Sequence, residues 1–176
     1  MCPHETAPRY GFRPVTRDDF PLLRGWLGLP HIGGWWGDPD AEIALMEEDL
    51  AAGPTDMRLV CLADMPFAYV QDYPAHHWPM PQYAGESPGA RAIDTFLGEP
   101  AFHRRGHAAR YMRQRALELV ASGAPSVLTD PDPANTRAVA AYTRAGFRPL
   151  RECPCEDGDP VLVMRFCPPP GPRPAP

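Results

Sequence analysis

Proline constrains this chain more than any other residue. It fills 25 of 176 positions, about 14%, nearly three times ordinary usage. A proline fixes φ and offers no N–H, so helix interiors and central strands must avoid it. The prolines are unevenly placed. Cys167 to Pro176 is a low-complexity tail without core-forming residues, expected to be polyproline-like or disordered. A second loop-like zone runs from Pro74 to Gly89, with prolines at 74, 79, 81 and 88. Residues 1–9 read as a flexible N-terminus, residues 10–166 as a single domain, and 167–176 as the tail.

Outside these zones, apolar residues recur with the periods of regular structure. Phe12 to Val15 reads as a strand, and Thr16 caps a helix bearing Phe20, Leu23 and Leu27. Asp40 opens a second helix that closes near Gly53. Arg58 to Ala63 and Phe67 to Tyr73 form a hairpin across Asp64-Met65-Pro66, and Ala92 to Leu97 is another strand. Gly106 to Ser122 is a long helix with a stripe of Ala109, Met112, Ala116, Leu119 and Val120. A short strand at Ser126–Thr129, a helix at Ala134–Arg144 stopped by Gly146, and strands at Phe147–Arg151 and Val161–Phe166 complete the chain. The order β-α-α-β-β-β-α-β-α-β-β describes a mixed α/β fold with a hairpin-containing sheet.

Charge narrows the function classes. All 17 basic residues are arginine, and 22 acids oppose them for a net charge of −5. Residues 1–100 carry 6 Arg and 15 acids, whereas residues 101–123 carry 5 Arg and 1 acid. An acidic protein with one basic island suits an anionic ligand at the island and a cationic one elsewhere. Bulk binding to nucleic acid is disfavoured. No apolar run reaches the ~20 residues of a membrane span. The opening Met-Cys-Pro-His-Glu has no basic segment followed by an apolar one, so a cytoplasmic location is expected. Five cysteines form an odd set, Cys153-Pro-Cys155 has one intervening residue, and His76-His77 has no partner pair at ligand spacing. Free thiols and no metal are expected.

The most informative junction is Ile93 to Ala109. A strand ends, a loop carrying Arg104, Arg105 and Gly106 follows, and a helix begins on Ala108 and Ala109. A helix start presents unpaired N–H groups and the positive end of the dipole, and small residues let an anion approach. By spacing alone, the loop reads equally as a pyrophosphate cradle or as an ordinary connection with solvated arginines.

His103-Arg104-Arg105-Gly106-His107-Ala108 resembles the Gln/Arg-x-x-Gly-x-Gly/Ala loop of the GNAT superfamily of acetyl-CoA-dependent N-acetyltransferases. The element order is also that superfamily's. His31 to Gly37 with its Trp35-Trp36-Gly37, Ile93 to Leu97, Thr129 to Asn135, and Ala141 to Phe147 resemble segments of aminoglycoside 6'-N-acetyltransferases. The resemblance spans roughly residues 10 to 166 and implies a GNAT fold: a mixed sheet splayed between its fourth and fifth strands, flanked by about four helices. His103 stands where Gln or Arg is usual, and Arg104 where the subfamily often has Gly. Arg104 is expected to fit only if its backbone needs no positive φ.

The resemblance implies acetyl-CoA as co-substrate, with a cofactor-binding set of Phe96, Leu97, Arg104, Arg105, Gly106, His107, Ala108, Ala109 and Asn135. It places Trp36 at the substrate site and Tyr142 near the cofactor sulfur, as proton donor or positioning group. A packing role in the last helix is the plain alternative for Tyr142. Asp94 and Asp130 sit at or near the ends of apolar strands, where carboxylates need a reason to be. Both are expected at one cleft if the strands splay, and the resemblance implies that they bind substrate ammonium groups, with Asp94 also helping to deprotonate the attacking amine. A cap for the following helix is the plain alternative for Asp130. Asp157 reads as a solvated turn residue. Tyr73, Trp78 and Tyr83 offer aromatic walls from the Pro-rich loop.

Three functions are compatible with these residues. The first is acetyl transfer to a primary amine of a cationic aminosugar by direct attack in a ternary complex. The second is a siderophore-type acetyltransferase acting on N-hydroxylysine or N-hydroxyornithine. The third is a non-catalytic acyl-CoA-binding module, which needs neither Asp94 nor Tyr142. The expected partner is a small cationic amine, with no nucleic acid and no membrane, and the protein a monomer or homodimer.

Overall fold

The computed structural model describes residues 9–168. Most of the expected flexible N-terminus and Pro-rich tail lie outside the described residues. The elements follow in the expected order: β1 (Gly11–Pro14), α1 (Phe20–Leu27), α2 (Pro39–Ala52), β2 (Asp56–Leu62), β3 (Met65–Pro74), β4 (Arg91–Leu97), α3 (His107–Ala121), β5 (Val127–Thr129), α4 (Thr136–Ala145), β6 (Phe147–Pro154) and β7 (Pro160–Phe166). Three short 3-10 turns, at Arg17–Asp19, Pro81–Tyr83 and Pro100–Phe102, had no periodic signal to announce them. The strands hydrogen-bond in the order β1-β2-β3-β4-β5-β7-β6. The β4–β5 pair is parallel, and its ladder covers only Arg91↔Val127 and Ala92↔Leu128.

Two compact units divide the chain. The first holds the described residues up to Asp72 together with Asp94–His107. Thr16 and Asp19 start its helical region: the Thr16 N–H and hydroxyl both donate to Asp19 Oδ2, at 2.9 and 3.1 Å. Asp38 caps α2 by accepting the N–H groups of Asp40 and Ala41. The β2–β3 turn places Ala63 and Asp64 at φ of 49° and 66°, the left-handed pair that a two-residue hairpin requires. Leu23, Trp26 and Leu27 of α1 and Ile43 and Met46 of α2 pack with Leu59, Tyr69 and Phe96. Each such burial contributes roughly 1.5–3 kcal/mol.

The second unit holds Tyr73–Ile93 and the described residues from Ala108 onward. Helix α3 buries Ala109, Tyr111, Met112, Ala116 and Leu119. Helix α4 is capped by Asn135, whose Oδ1 accepts the Ala138 N–H at 3.1 Å. It ends at Gly146 with φ of 111°, and a Cβ there would press on Arg113 and Phe166. Tyr73, Tyr83, Ala92, Leu128 and Val163 form the local core.

Pro21, Pro39, Pro81 and Pro100 fall in first helical turns. Pro14, Pro149 and Pro154 lie in β1 and β6, the two end strands of the hydrogen-bonding order. Prolines do enter inner strands, but only near their ends: Pro66 beside the β2–β3 register shift, Pro74 at the end of β3 and Pro160 at the start of β7. No described helix is long and apolar enough to cross a membrane. Cys61, Cys153, Cys155 and Cys167 are free thiols, and no described group of His, Cys, Asp and Glu has the makings of a metal site.

Candidate active site

In the first unit, Asp94 lies midway along β4 and is half-buried. Its Oδ2 accepts the Gln71 Nε2–H at 3.1 Å. Gln71 Oε1 in turn accepts the Tyr69 hydroxyl at 2.7 Å. Tyr69 is fully buried, at 0% exposure. Its ring stacks on Phe96 at 5.1 Å between centroids and meets the edge of Trp36 at 6.0 Å. Trp36 also meets Phe96 edge-on at 4.9 Å. Burial, then the charges of Asp94, Asp49 and Glu42, push the Tyr69 phenol well above its ordinary value, so it remains a neutral donor. Trp35 is 47% exposed, whereas Trp36 packs against the core. Glu42 Oε1 accepts the Gly37 N–H at 3.2 Å and fills the space a Cβ on residue 37 would need. That contact ties the Trp36 segment to α2.

The same unit carries the loop from Gly98 to His107. A Cβ on Gly98 would strike the Trp26 indole, whose Nε1–H donates to Glu99 at 3.0 Å. Leu97 O accepts from both His31 and His103, at 3.1 and 3.4 Å, and the two imidazoles meet edge-to-face at 4.3 Å. His103, unusual at its loop position, therefore clips the loop to the end of β4. Arg104, Arg105 and Gly106 are exposed. His107 opens α3 and hydrogen-bonds the Tyr10 hydroxyl at 2.8 Å. Arg104 has φ of 58° and Gly106 φ of 75°. The expectation that Arg104 avoids positive φ is therefore wrong: it takes a left-handed conformation at a cost of about 1–2 kcal/mol. The exposed turn fits an anionic pyrophosphate, because Gly106 presents backbone with no side chain and the exposed Arg104 and Arg105 immediately precede it.

In the second unit, Asp130 follows β5 and accepts Gln82 Nε2–H at 3.1 Å. The same nitrogen donates to Glu156 Oε2 at 2.8 Å. Gln82 is 1% exposed, and its buried Oε1 has no hydrogen-bond partner. The helix-cap alternative for Asp130 falls, because Asn135 caps α4. Asn135 keeps its amide N–H groups for other partners, such as the cofactor arm expected from sequence. Glu86 of the Pro-rich loop is buried and bridges Arg165 at 2.6 Å and Arg151 at 3.3 Å. Arg151 also donates to the Gln82 carbonyl. The loop is thus fastened to β6 and β7. Tyr83 is fully buried core, not an aromatic wall, while Trp78 is 39% exposed and meets Tyr73 edge-on. Tyr142 is buried on α4 beside Phe147. Ala108 and Ala109 occupy the first turn of α3, and Asp157 is exposed in the β6–β7 turn.

The sequence model for the acetyltransferase (GNAT) domain matches residues 15–155. The chain is a GNAT acetyltransferase. Its relatives include aminoglycoside N(6')-acetyltransferase type 1 from Klebsiella pneumoniae and from Serratia marcescens. Each is 29% identical over 164 residues, covering 87% of this chain and 81% of the relative. A solved structure of aminoglycoside acetyltransferase AAC(6')-Ib with coenzyme A and kanamycin superposes with a TM-score of 0.77 at 27% identity, covering 89% of this chain and 94% of that one. AAC(6')-Ib with ribostamycin and coenzyme A gives 0.78 at 28%, covering 89% and 92%. The mixed sheet with its short parallel β4–β5 ladder is the GNAT fold. In this GNAT enzyme the sequence reading missed Tyr69, Gln71, Gln82 and Glu156. Gln71 had a usable signal, since it shares a strand face with Tyr69, two residues away.

Proposed function

We propose that this enzyme transfers the acetyl group of acetyl-CoA to a primary amine of a cationic aminosugar, by direct attack while both substrates are bound. Its relatives named as aminoglycoside N(6')-acetyltransferases and the AAC(6')-Ib complexes with coenzyme A and aminoglycosides support this class of reaction. The observation that carries it is the Asp94 carboxylate, held by the Gln71 amide beside the Trp36–Tyr69–Phe96 aromatic group. A carboxylate steadied in this way binds an ammonium and accepts a proton from the attacking nitrogen. Asp130 and Glu156, gathered on one amide in the second unit, concentrate negative charge there.

Acetyl-CoA supplies an activated acyl group. Gly106, Ala108 and Ala109 offer backbone to its pyrophosphate, Arg104 and Arg105 offer charge, and His107 starts the helix. Backbone of Phe96 and Leu97 and the Asn135 amide serve its pantetheine arm. Tyr142 holds a proton at Oη for the departing sulfur, and the phenol acts in concert with bond cleavage. Acetylation turns an ammonium into a neutral amide, the change by which such an enzyme would give resistance to an aminoglycoside antibiotic.

The test is free-thiol release from acetyl-CoA against aminoglycosides, polyamines and N-hydroxylated amino acids. Turnover is expected on aminoglycosides. Asp94→Asn is expected to lower kcat/KM about a hundredfold with coenzyme A affinity retained. Turnover confined to hydroxylamines would overturn the reading in favour of the siderophore-type alternative.

A further inference from the structure

We infer that Gln71 is a positioning residue for Asp94, and that the buried Tyr69 hydroxyl fixes which end of the Gln71 amide faces the carboxylate. The inference rests on the proposed function of Asp94 as the group that takes the amine's proton.

A primary amide has a donor end and an acceptor end, and either end can face a neighbour. With Asp94 ionised, only the N–H end suits it, because a carbonyl at 3.1 Å would set acceptor against acceptor. Tyr69 enforces that choice from the other side. Its hydroxyl lies 2.7 Å from Gln71 Oε1 and donates to it. The phenol keeps its proton, because burial and the acids around it all oppose ionisation. Those acids are Asp94 on β4 and Asp49 and Glu42 on α2. The series therefore has one direction: hydroxyl to amide oxygen, amide N–H to carboxylate.

Its anchor is packed and hydrogen-bonded. The Tyr69 ring is stacked on Phe96 and its backbone carbonyl accepts the Thr95 hydroxyl. Tyr69 and Gln71 alternate in β3 so that both point to one face. A hydrogen bond to the ionised carboxylate favours that form. Gln71 thus keeps Asp94 ready to accept a proton at lower pH and restricts how its carboxyl plane turns. Without the amide N–H the same carboxylate would still be present, but protonated over a wider pH range.

The test measures kcat/KM for an aminoglycoside against pH in the full-length enzyme. Gln71→Met keeps length and removes the donor. Its acid limb is expected to move up by about one pH unit, with coenzyme A affinity unchanged. Tyr69→Phe keeps the ring and removes only the hydroxyl, and is expected to move the limb the same way by about half as much. A Gln71→Met enzyme whose limb stays in place, whatever its rate, overturns the inference. A Tyr69→Phe enzyme with a wild-type limb overturns the role of the hydroxyl. Asp94→Asn separates the two levels. If it abolishes the limb while Gln71→Met leaves it alone, only the positioning inference fails. If Asp94→Asn retains both rate and limb, the proposed role of Asp94 fails and the inference with it.

Discussion

Asp94 in the first unit and Asp130 in the second each accept a glutamine amide N–H at 3.1 Å. The two glutamines are nonetheless used differently. Gln71 has one carboxylate on its nitrogen and a phenol on its oxygen, so each end has a partner. Gln82 divides its nitrogen between Asp130 and Glu156 and leaves its buried oxygen unpartnered. A one-to-one chain orients a single carboxylate, which suits proton transfer. A shared donor gathers two negative charges around one amide, which suits attraction of a cation. The unpartnered oxygen costs about 1–3 kcal/mol, and the charge around Glu86 is what holds the loop in spite of it.

The largest expected effect breaks that support. Glu86→Ala leaves Arg151 and Arg165 without their buried partner, whose side chain is 2% exposed. A loss of about 2 kcal/mol is expected, discounted because both arginines are partly exposed, with Tm lower by roughly 4–8 °C. Scanning calorimetry checks this, and an unchanged Tm would mean that the loop is held by its apolar contacts alone. The next effect is functional. Gln82→Leu is expected to raise KM for a polycationic substrate about tenfold, with kcat and the acid limb unchanged. A moved limb would erase the distinction between the two glutamines. The smallest involves neither. Arg104→Gly relieves a left-handed arginine and is expected to add about 1 kcal/mol of stability. Its readout is a denaturant midpoint at unchanged slope, with a modest loss of coenzyme A affinity from the missing charge.

The sequence shows the element order because apolar spacing is local: Leu23 and Leu27 mark one helix face, and Ala109, Met112 and Ala116 another. It shows Asp94 and Asp130 because a carboxylate at an apolar strand is conspicuous. It hides their partners. Gln71 is 23 residues from Asp94, and Gln82 is 48 from Asp130 and 74 from Glu156. Glutamine carries no pattern of its own, so only the sheet brings these groups together. Gln82 was further concealed inside the Pro-rich zone, where a 3-10 turn of three residues has no periodicity to read. The conformation of Arg104 is equally illegible in local pattern: the residues near it, His103 and His107, are held by distant partners, Leu97 and Tyr10.

The prolines in the end strands have a consequence for how this protein meets its own copies. Exposed sheet edges invite strand addition, and many proteins guard them with lysine. This chain has no lysine. Pro14 in β1 and Pro149 and Pro154 in β6 have no N–H to offer. A strand laid along either edge would meet residues with fewer donors than a lysine-bearing edge leaves in place. Proline thus stands in the end strands of a chain that has no ammonium side chain to guard them.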